Sequence, residues 1–250
     1  MRGDALPAWL GPVAAGVRGV GCFLDYTLLK PEATRDDVLR LCEGAAAVGT
    51  WAICVNPRWV GACVHRLSGT GVRVATVVDF PFGAASGAAK AAEAAIAVAD
   101  GAVELDVVVP LGAVKAGDWQ SVTDDIARVV AAARGALVKA IIESAILEPA
   151  EITRACAAAV TGGATFVKTS TGFHEGGGAT LAAVRLMREA VGPAIGVKAS
   201  GGVRTSEQAI AMLAVGASRI GLSSLAGLRA IVGPDAPPLE ELLARTVAAR

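Results

Sequence analysis

Short apolar runs alternate with longer segments of helical periodicity along nearly the whole chain. The runs are three to six residues long and mostly continuous, which is typical of parallel strands covered on both faces. We predict strands at residues 22–25, 51–55, 73–78, 103–108, 137–142, 165–168, 195–198 and 219–221. Apolar residues at helical spacing predict helices at residues 34–48, 85–100, 119–133, 149–160, 179–191 and 206–215.

Eight strand–helix units of about thirty residues each predict an α/β fold, a single (β/α)8 TIM barrel. An open doubly wound sheet usually carries a dinucleotide-binding or Walker glycine motif after its first strand, and neither occurs here. No low-complexity linker divides the chain, so we predict one barrel domain over residues 20–250. Residues 1–19 are expected to form an N-terminal extension or a short cap, and residues 233–238 mark a break before a terminal helical tail.

The overall composition limits the function classes. Apolar residues make up 54% of the chain, and the 23 acidic residues balance the 23 basic ones, so no basic face for nucleic acid or an anionic membrane is expected. The longest stretch without a charged residue has fourteen residues (44–57), fewer than the roughly 18 of a membrane helix. Charged residues and prolines interrupt any signal-peptide core near the N-terminus. We therefore predict a cytoplasmic protein.

Cysteine and histidine usage argues against metal chemistry. The five cysteines show no C-x-x-C pairing, and we predict reduced, mostly buried thiols. With only His65 and His174 available, a histidine-rich metal site is excluded and a Ser-His-Asp triad is poorly supported. We predict neither a metal nor another cofactor.

Polar side chains recur where the predicted strands end. In a TIM barrel the carboxyl ends of the strands carry the functional residues. From the first strand to the eighth, these positions hold Asp25, Cys54 and Asn56, Asp79, Glu104 and Asp106, Glu143, Lys168, Lys198, and Ser223 with Ser224. We therefore expect a functional site at this end of the barrel.

Two of these residues are lysines, Lys168 and Lys198, on adjacent predicted strands. The chain has only six lysines against seventeen arginines, and an ammonium is costly to remove from water. Burial and like-charge repulsion both lower the proton affinity of an amine. One lysine of the pair is therefore expected to be neutral near pH 7 and to attack a carbonyl, forming a Schiff base. Asp106 is the candidate for moving protons at the neighbouring carbon.

Plainer interpretations of these residues exist. A lone strand lysine more often reaches solvent or pairs with a carboxylate, although two lysines and an inward aspartate in one barrel mouth favour catalysis. Lys139 also lies in an apolar run, and either a direct role or an ion pair with Glu143 or Asp106 would explain it. Glu104 and Asp106 share a strand face, so spacing alone leaves either as the inward acid.

Hydroxyl residues and glycines at the ends of the last three strands are candidates for binding an anion. They are Thr171, Gly172, Gly201, Gly202, Ser223 and Ser224. Backbone N–H groups in such loops form the usual phosphate cradle of a barrel. Ordinary turn glycines and a serine helix cap fit the same pattern equally well. Cys54, within an apolar run, is interpreted from the pattern as a core residue.

The chain resembles a known family, the deoxyribose-phosphate aldolases, which are class I aldolases. The resemblance covers about residues 20–230 and rests on these motifs, in the family's order: FLDYTLLKP, AICVNPRWV, ATVVDFPFG, VELDVVVPLG, FVKTSTGF, VKASGGVRT and RIGLSS. KTSTG and KASGG together are highly specific, whereas one lysine motif would not be. The resemblance implies reversible cleavage of 2-deoxy-D-ribose 5-phosphate to acetaldehyde and D-glyceraldehyde 3-phosphate.

The resemblance also implies roles for individual residues. Lys168 matches the Schiff-base lysine of KTSTG, and Lys198 matches the KASGG lysine that perturbs it and joins the proton relay. Asp106 matches the aspartate of the family's E-x-D-x-V pattern. The implied substrate-binding residues are Asp25 and Cys54 in the pocket and Gly201, Gly202, Ser223 and Ser224 at the phosphate.

Two positions depart from the family's pattern. Some members end in a tyrosine that relays protons, whereas the only tyrosine here is Tyr26, so that element is expected to be absent or replaced by water. Some relatives carry a phosphate-binding lysine where this chain has Phe173, so phosphate affinity is expected to rest more on backbone amides.

The alternatives are another Schiff-base aldolase or transaldolase, a sugar-phosphate isomerase, or a barrel that binds a sugar phosphate without turnover. The expected partner is a small phosphorylated sugar, and alanine-rich helix faces are compatible with a homodimer.

Overall fold

Eight parallel strands form a closed barrel in the computed structural model, which describes residues 7–10 and 17–248. The strands are β1 (Leu24–Leu28), β2 (Ala52–Val55), β3 (Arg73–Val78), β4 (Glu104–Val108), β5 (Leu137–Ile141), β6 (Phe166–Lys168), β7 (Gly196–Ser200) and β8 (Arg219–Leu222). Each strand pairs in parallel with the next along the chain, and β8 closes the ring by pairing with β1. The predicted TIM barrel is therefore confirmed.

Helices follow the strands and surround the barrel. They are α1 (Arg35–Val48), α2 (Val60–Leu67), α3 (Gly87–Ala99), α4 (Leu111–Ala116), α5 (Trp119–Ala132), α6 (Pro149–Thr161), α7 (Leu181–Val191), α8 (Ser206–Val215) and α9 (Leu239–Ala248). The six predicted helices are confirmed to within two residues at each end. The helices α2 and α4 were not predicted, and α9 occupies the position of the predicted helical tail.

Two predicted strands differ by more than one residue from their bounds in the structure, and the other six agree to within one residue. The first prediction, residues 22–25, overlaps a 3-10 turn at Gly21–Phe23, and β1 follows it and runs on to Leu28. The strand β7 continues beyond Lys198 to Ser200, which carries the chain further towards the glycines of the next loop.

Side-chain caps fix where the helices begin. At the start of α1, the Thr34 hydroxyl accepts the Asp37 N–H (3.3 Å) and the Asp37 carboxylate accepts the Thr34 N–H (2.8 Å). Thr205 and Gln208 form the same reciprocal pair at α8. Such capping boxes satisfy N–H groups that have no partner within the helix. They place the helix starts, and hence the preceding loops, at the carboxyl-end rim of the barrel.

Alternation along the strands separates two apolar regions. On β2, Ile53 and Val55 belong to the large core between barrel and helices, whereas Ala52 and Cys54 face the barrel interior. The interior apolar cluster contains Leu29, Ala52, Cys54, Ala75 and Val77. It occupies the side formed by β1, β2 and β3, so inward side chains of the other strands form a separate, charged region.

The N-terminal residues that the structure describes pack against the end of the chain. The Trp9 indole N–H donates to the carbonyl of Leu213 (3.0 Å), and the Gly19 N–H donates to the carbonyl of Pro237 (2.8 Å). The prediction for residues 1–19 falls partly on residues 1–6 and 11–16, which lie outside the described residues. Within the described ranges, no helix combines the length and apolar character needed to cross a membrane.

Candidate active site

The two lysines singled out in the sequence lie side by side in the barrel mouth. Lys168 ends β6 and is the register partner of Lys198 on β7, so both side chains point into the interior at the same level. The Lys168 side chain is 3% exposed and that of Lys198 is 1% exposed. Two ammonium groups this deeply buried need negative partners nearby.

Asp106 supplies a shared negative partner. Its Oδ2 atom accepts hydrogen bonds from Lys168 Nζ and Lys198 Nζ, each at 2.8 Å. Its Oδ1 atom accepts a third from Lys139 Nζ at 2.7 Å. Both Glu104 and Asp106 project inward from β4, and it is Asp106 that touches the lysine pair.

A second layer of charges lies below this group. Lys139 also pairs with Glu104 (2.7 Å), and Arg219 pairs with Glu104 (3.0 Å) and with Asp25 (2.7 Å). Asp25 in turn forms an ion pair with Lys198. Because cations and carboxylates alternate, every buried charge in this network has an opposite charge within contact distance.

The environment separates the two lysines in proton affinity. Burial lowers the pKa of Lys168, and the neighbouring Lys198 ammonium lowers it further, against the opposing effect of Asp106. Burial also acts against the Lys198 ammonium, but Asp106 and Asp25 outweigh it and raise the pKa of Lys198. Burial alone would raise the pKa of Asp106, but the lysines around it hold that pKa well below its usual range. Lys168 is therefore the amine that most readily becomes neutral, beside an ammonium and a carboxylate.

A cleft of about 930 Å³ opens above the lysine pair. Lys168 lies on its wall together with most of the predicted anion-binding residues: Thr171, Gly172, Gly201, Gly202 and Ser223. Gly201 and Gly202 have φ of 82° and 84°, in the left-handed region that favours glycine. A Cβ on Gly201 would lie 2.9 Å from the Cα of Gly178, so the loop also needs glycine for close backbone approach.

Ser224 has a different environment. Its hydroxyl accepts the N–H of Ala226 (3.2 Å), the first residue of the 3-10 helix Ala226–Ile231, whose N-cap is Leu225. Ser224 is not among the residues that line the cleft, whereas Ser223 is. Ser223 therefore lies on the wall of the cleft, whereas the Ser224 hydroxyl is bonded to the backbone of the segment that follows.

Asp25 and Cys54 are fully buried beneath the cleft rather than on its wall. Asp25 contacts Lys198 and Arg219, and so lies between the lysine pair and the deeper charges. Cys54 belongs to the interior apolar cluster, and burial followed by the Asp106 charge raises the pKa of its thiol to about 11. The thiol therefore stays protonated at neutral pH.

Two further features of the mouth involve residues near Thr171. Glu143, at the end of β5, accepts the Thr171 hydroxyl at 2.6 Å and the Thr171 N–H at 3.2 Å, which fixes the loop after β6. Phe173 is half-exposed and packs edge-on against Phe80, with ring centroids 5.2 Å apart. The Phe80 ring centroid lies 5.9 Å from Lys168 Nζ. Tyr26 lines the outer part of the cleft.

Sequence reasoning missed several members of the site. Of the two partners suggested for Lys139, the structure contains the Asp106 pair and adds Glu104, while Glu143 bonds Thr171 instead. Arg219 was taken only as the first residue of a strand. The signal available was its position: Arg219 is the register partner of Lys198 on β7, so it shares that residue's inward face.

Within the described ranges, no group of three His, Cys, Asp or Glu side chains is arranged to hold a metal ion. The ionisable cluster is built instead from carboxylates paired with lysine and arginine.

Comparisons with known proteins agree with this geometry. Residues 24–232 match the DeoC/LacD family aldolase. The chain is 52% identical to a deoxyribose-phosphate aldolase from Mycobacterium avium over 217 residues, covering 85% of this chain and 95% of that protein. It is 52% identical to deoxyribose-phosphate aldolase 1 from Bacillus licheniformis over 202 residues, covering 80% of this chain and 90% of that protein.

A solved structure of a tetrameric deoxyribose phosphate aldolase from Aeropyrum pernix superimposes with a TM-score of 0.78 at 31% identity, covering 83% of this chain and 88% of that one. The family match spans most of the chain, and these relatives are similar over nearly their whole length. The chain belongs to the DeoC/LacD family of aldolases.

Proposed function

We propose that this protein is a class I aldolase that reversibly cleaves 2-deoxy-D-ribose 5-phosphate to acetaldehyde and D-glyceraldehyde 3-phosphate. The observation that carries the proposal is the buried pair of Lys168 and Lys198 on one oxygen of Asp106. The choice of substrate is supported by the relatives from M. avium and B. licheniformis, which are deoxyribose-phosphate aldolases.

Lys168 is the proposed nucleophile. Its neutral amine adds to the aldehyde carbon of the open-chain sugar, and loss of water gives a protonated Schiff base. The iminium accepts the electron pair of the bond between C2 and C3 when the C3 hydroxyl loses its proton. D-glyceraldehyde 3-phosphate leaves, and the remaining enamine is protonated at carbon and hydrolysed to acetaldehyde and the free amine.

Asp106 and Lys198 are the proposed proton-handling groups. The Asp106 carboxylate is held ionised by the lysines around it, so it can accept a proton, with an ordered water completing the path to the substrate. Lys198 keeps its positive charge because Asp106 and Asp25 face it. It thereby disfavours a second ammonium at Lys168 and can return a proton to the relay.

The substrate phosphate is proposed to bind at the wall of the cleft formed by the loops that follow β6, β7 and β8. The contributing residues are Thr171, Gly172, Gly201, Gly202, Ser223 and Ser224. Ser224 would contribute through its backbone, since its hydroxyl accepts the Ala226 N–H and it does not line the cleft. From beneath the cleft, Asp25 orients Lys198 and Cys54 bounds the space around the reacting carbon.

Borohydride trapping tests the nucleophile. With acetaldehyde and borohydride present, we expect one ethyl group to be fixed at Lys168 and located by peptide mass spectrometry. The K115M variant is the matched control, because Lys115 is an exposed lysine paired with Glu151, and it should trap normally. An adduct at another lysine, or full activity of the K168A variant, would exclude the proposed mechanism.

Retro-aldol assays separate this function from its alternatives. Cleavage of 2-deoxyribose 5-phosphate, with no turnover of ribose or fructose phosphates, is expected. Isomerisation of a sugar phosphate, or binding without turnover, would indicate one of the other barrel functions.

The cellular setting is part of the same proposal. We expect the enzyme to act in the cytoplasm on free sugar phosphate during deoxyribose phosphate breakdown, since all five cysteines are free thiols. The alanine-rich helix faces are compatible with a homodimer as well as with packing on the barrel, and light scattering in solution would measure the state of assembly.

A further inference from the structure

The barrel interior holds one more cation than carboxylates in its ion-pair network. The cations are Lys139, Lys168, Lys198 and Arg219, and the carboxylates are Asp25, Glu104 and Asp106. An unbalanced charge in a buried site is costly. If one amine releases its proton, three positive charges face three negative charges. The network therefore favours a state in which one lysine is neutral.

The contacts identify which amine that is. Lys168 pairs with a single carboxylate, that of Asp106. Lys198 pairs with two carboxylates, Lys139 with three and Arg219 with two. The amine with the fewest carboxylate partners gives up the least ion-pair energy when it releases its proton. Lys168 is therefore the lysine that becomes neutral.

Arg219 pairs with Asp25 and Glu104, whereas each of the three lysines pairs with Asp106. Arg219 does not line the cleft, and its guanidinium packs against the rings of Trp51 (4.7 Å) and Phe166 (5.3 Å). Trp51 also donates its indole N–H to Glu104 Oε1 (2.7 Å). A guanidinium stays protonated at all physiological pH values. Arg219 therefore places a permanent positive charge at the floor of the barrel.

A continuous series of contacts joins this charge to the lysine pair. Arg219 contacts Asp25, Asp25 contacts Lys198, and Lys198 shares Asp106 with Lys168. We propose that Arg219 is a positioning residue that, through Asp25 and Lys198, keeps Lys168 in its neutral, nucleophilic form. The proposal rests on the proposed function in assigning the nucleophile to Lys168.

The other groups near Lys168 and near Arg219 do not take the place of the positive charge of Arg219. Lys168 also faces the Cys54 thiol and the Phe80 ring, both uncharged at neutral pH. Arg219 also faces the Cys22 thiol, whose pKa burial raises to about 11. The Arg73 guanidinium also stacks on the Trp51 ring, with its Cζ atom 3.8 Å from the ring centroid, but Arg73 is exposed to solvent.

Glu143 is the remaining buried carboxylate near the mouth, and it accepts the Thr171 hydroxyl and amide rather than an ammonium.

The test measures the protonation of Lys168 directly. Trace acetylation with acetic anhydride, at a series of pH values, labels only unprotonated amines, and peptide mass spectrometry gives the midpoint for Lys168 with exposed Lys115 as internal reference. In R219M, three carboxylates face two remaining cations, so Lys168 should take up a proton. Removing a unit charge at about 10 Å in a medium of effective dielectric near 20 moves a pKa by about one unit. We expect the midpoint to rise by about one pH unit, and the acidic limb of kcat/KM with it.

A charge-compensated variant separates this role from a structural one. E104Q removes a carboxylate instead and should move the midpoint to lower pH. The double variant R219M/E104Q removes one charge of each sign and should return the midpoint towards that of the unaltered chain. R219K retains the charge and should leave the midpoint close to its original value.

The midpoints of these variants decide whether Arg219 acts on Lys168 through its charge. A midpoint unchanged in R219M, or shifted equally in R219M and R219M/E104Q, would overturn the proposal. If R219M does not fold, the sign of the shift in E104Q decides, because loss of packing alone predicts no downward movement. Because labelling needs no turnover, these outcomes stay distinct from failure of the aldolase assay or of borohydride trapping.

Discussion

The reactivity proposed for Lys168 depends on how few negative partners it has. Its ammonium would be buried with one carboxylate and beside a second ammonium, whereas Lys198 lies between two carboxylates. The same strand geometry therefore produces two lysines with opposite shifts of pKa. A division of this kind is what a Schiff-base mechanism needs, since one amine must attack while its neighbour stays charged.

Replacing Lys198 with Met should convert Lys168 into the counter-ion of Asp106. With the Lys198 ammonium gone, Asp106 keeps only Lys139 as a permanent counter-ion, and the repulsion between Lys198 and a Lys168 ammonium disappears, so Lys168 becomes protonated. We expect kcat/KM at pH 7 to fall by at least about 100-fold, with partial recovery at alkaline pH. The pH profile between 6 and 10 measures this, and K115M is the control. A profile that is lowered uniformly would show that Lys198 acts on the reaction without affecting Lys168.

Replacing Phe173 with Lys should strengthen phosphate binding. Phe173 is half-exposed at the cleft wall, next to Gly172, so an ammonium there would reach the mouth without being buried. An exposed charge pair contributes up to about 1 kcal/mol, so KM for 2-deoxyribose 5-phosphate should fall about two- to fivefold. Unphosphorylated 2-deoxyribose is the control substrate and should be unaffected. A decrease in KM that persists at high salt would contradict an electrostatic origin.

At the scale of elements, the loop between β3 and α3 is held by its own buried ion pairs. Lys90 on α3 is fully buried and donates to Asp125 (2.8 Å) and to the carbonyl of Val108 (2.8 Å). It also lies 3.6 Å from Asp79, whose N–H donates to Glu93. Because Phe80 follows Asp79 directly, this cluster fixes the aromatic ring that lies beside the catalytic mouth.

Replacing Lys90 with Met should therefore destabilise the protein. It leaves Asp125 buried without its counter-charge, and breaking a buried pair from one side typically costs about 3–5 kcal/mol. Urea unfolding at pH 7 measures the loss. The double variant K90M/D125N removes both charges and should recover much of the stability. If the double variant is as unstable as K90M, the lost packing of the lysine stem would explain the effect instead.

The sequence predicted most elements because buried parallel strands have continuous apolar patterns. It missed α2 and α4 because they have eight and six residues, too few to show a helical period clearly. The predicted bounds of β1 begin too early because Cys22 and Phe23 are apolar, although they belong to a 3-10 turn that precedes the strand.

For the site, alternation placed Lys168, Lys198 and Asp106 on inward faces, and they do meet. Alternation does not indicate how deep in the barrel each side chain lies, or which side chains meet across the interior. Arg219 and Glu104 are 115 residues apart, and only closure of the ring by β8 against β1 brings them together. Partners of this kind follow from topology and shear, which no local pattern records.

At the scale of the whole molecule, a chain that is balanced in charge encloses a charged interior. The chain has no formal net charge, yet the barrel encloses a network of buried ions. The cations of this network hold the pKa of Asp25, Glu104 and Asp106 below their usual values, although burial acts in the other direction. Glu93 and Asp125 behave oppositely, because burial raises the pKa of each.

These shifts predict the pH dependence of stability. A carboxylate with a depressed folded pKa stabilises the protein above its unfolded pKa of about 4, and this contribution is lost as pH falls below that value. Three such groups should make the free energy of unfolding fall by up to about 4 kcal/mol per pH unit below pH 4. Glu93 and Asp125 act in the window above pH 4, where acidification protonates the folded state first and so raises stability slightly.

Urea unfolding between pH 5 and pH 3 should therefore show a plateau or slight rise down to about pH 4, followed by a steep decline below pH 4. R219M/E104Q contains one fewer depressed carboxylate, so its decline should be shallower by about 1.4 kcal/mol per pH unit. D125N should lose part of the rise above pH 4 and keep the decline. Equal slopes below pH 4 in R219M/E104Q and the unaltered chain would mean that the interior ion pairs do not govern acid unfolding.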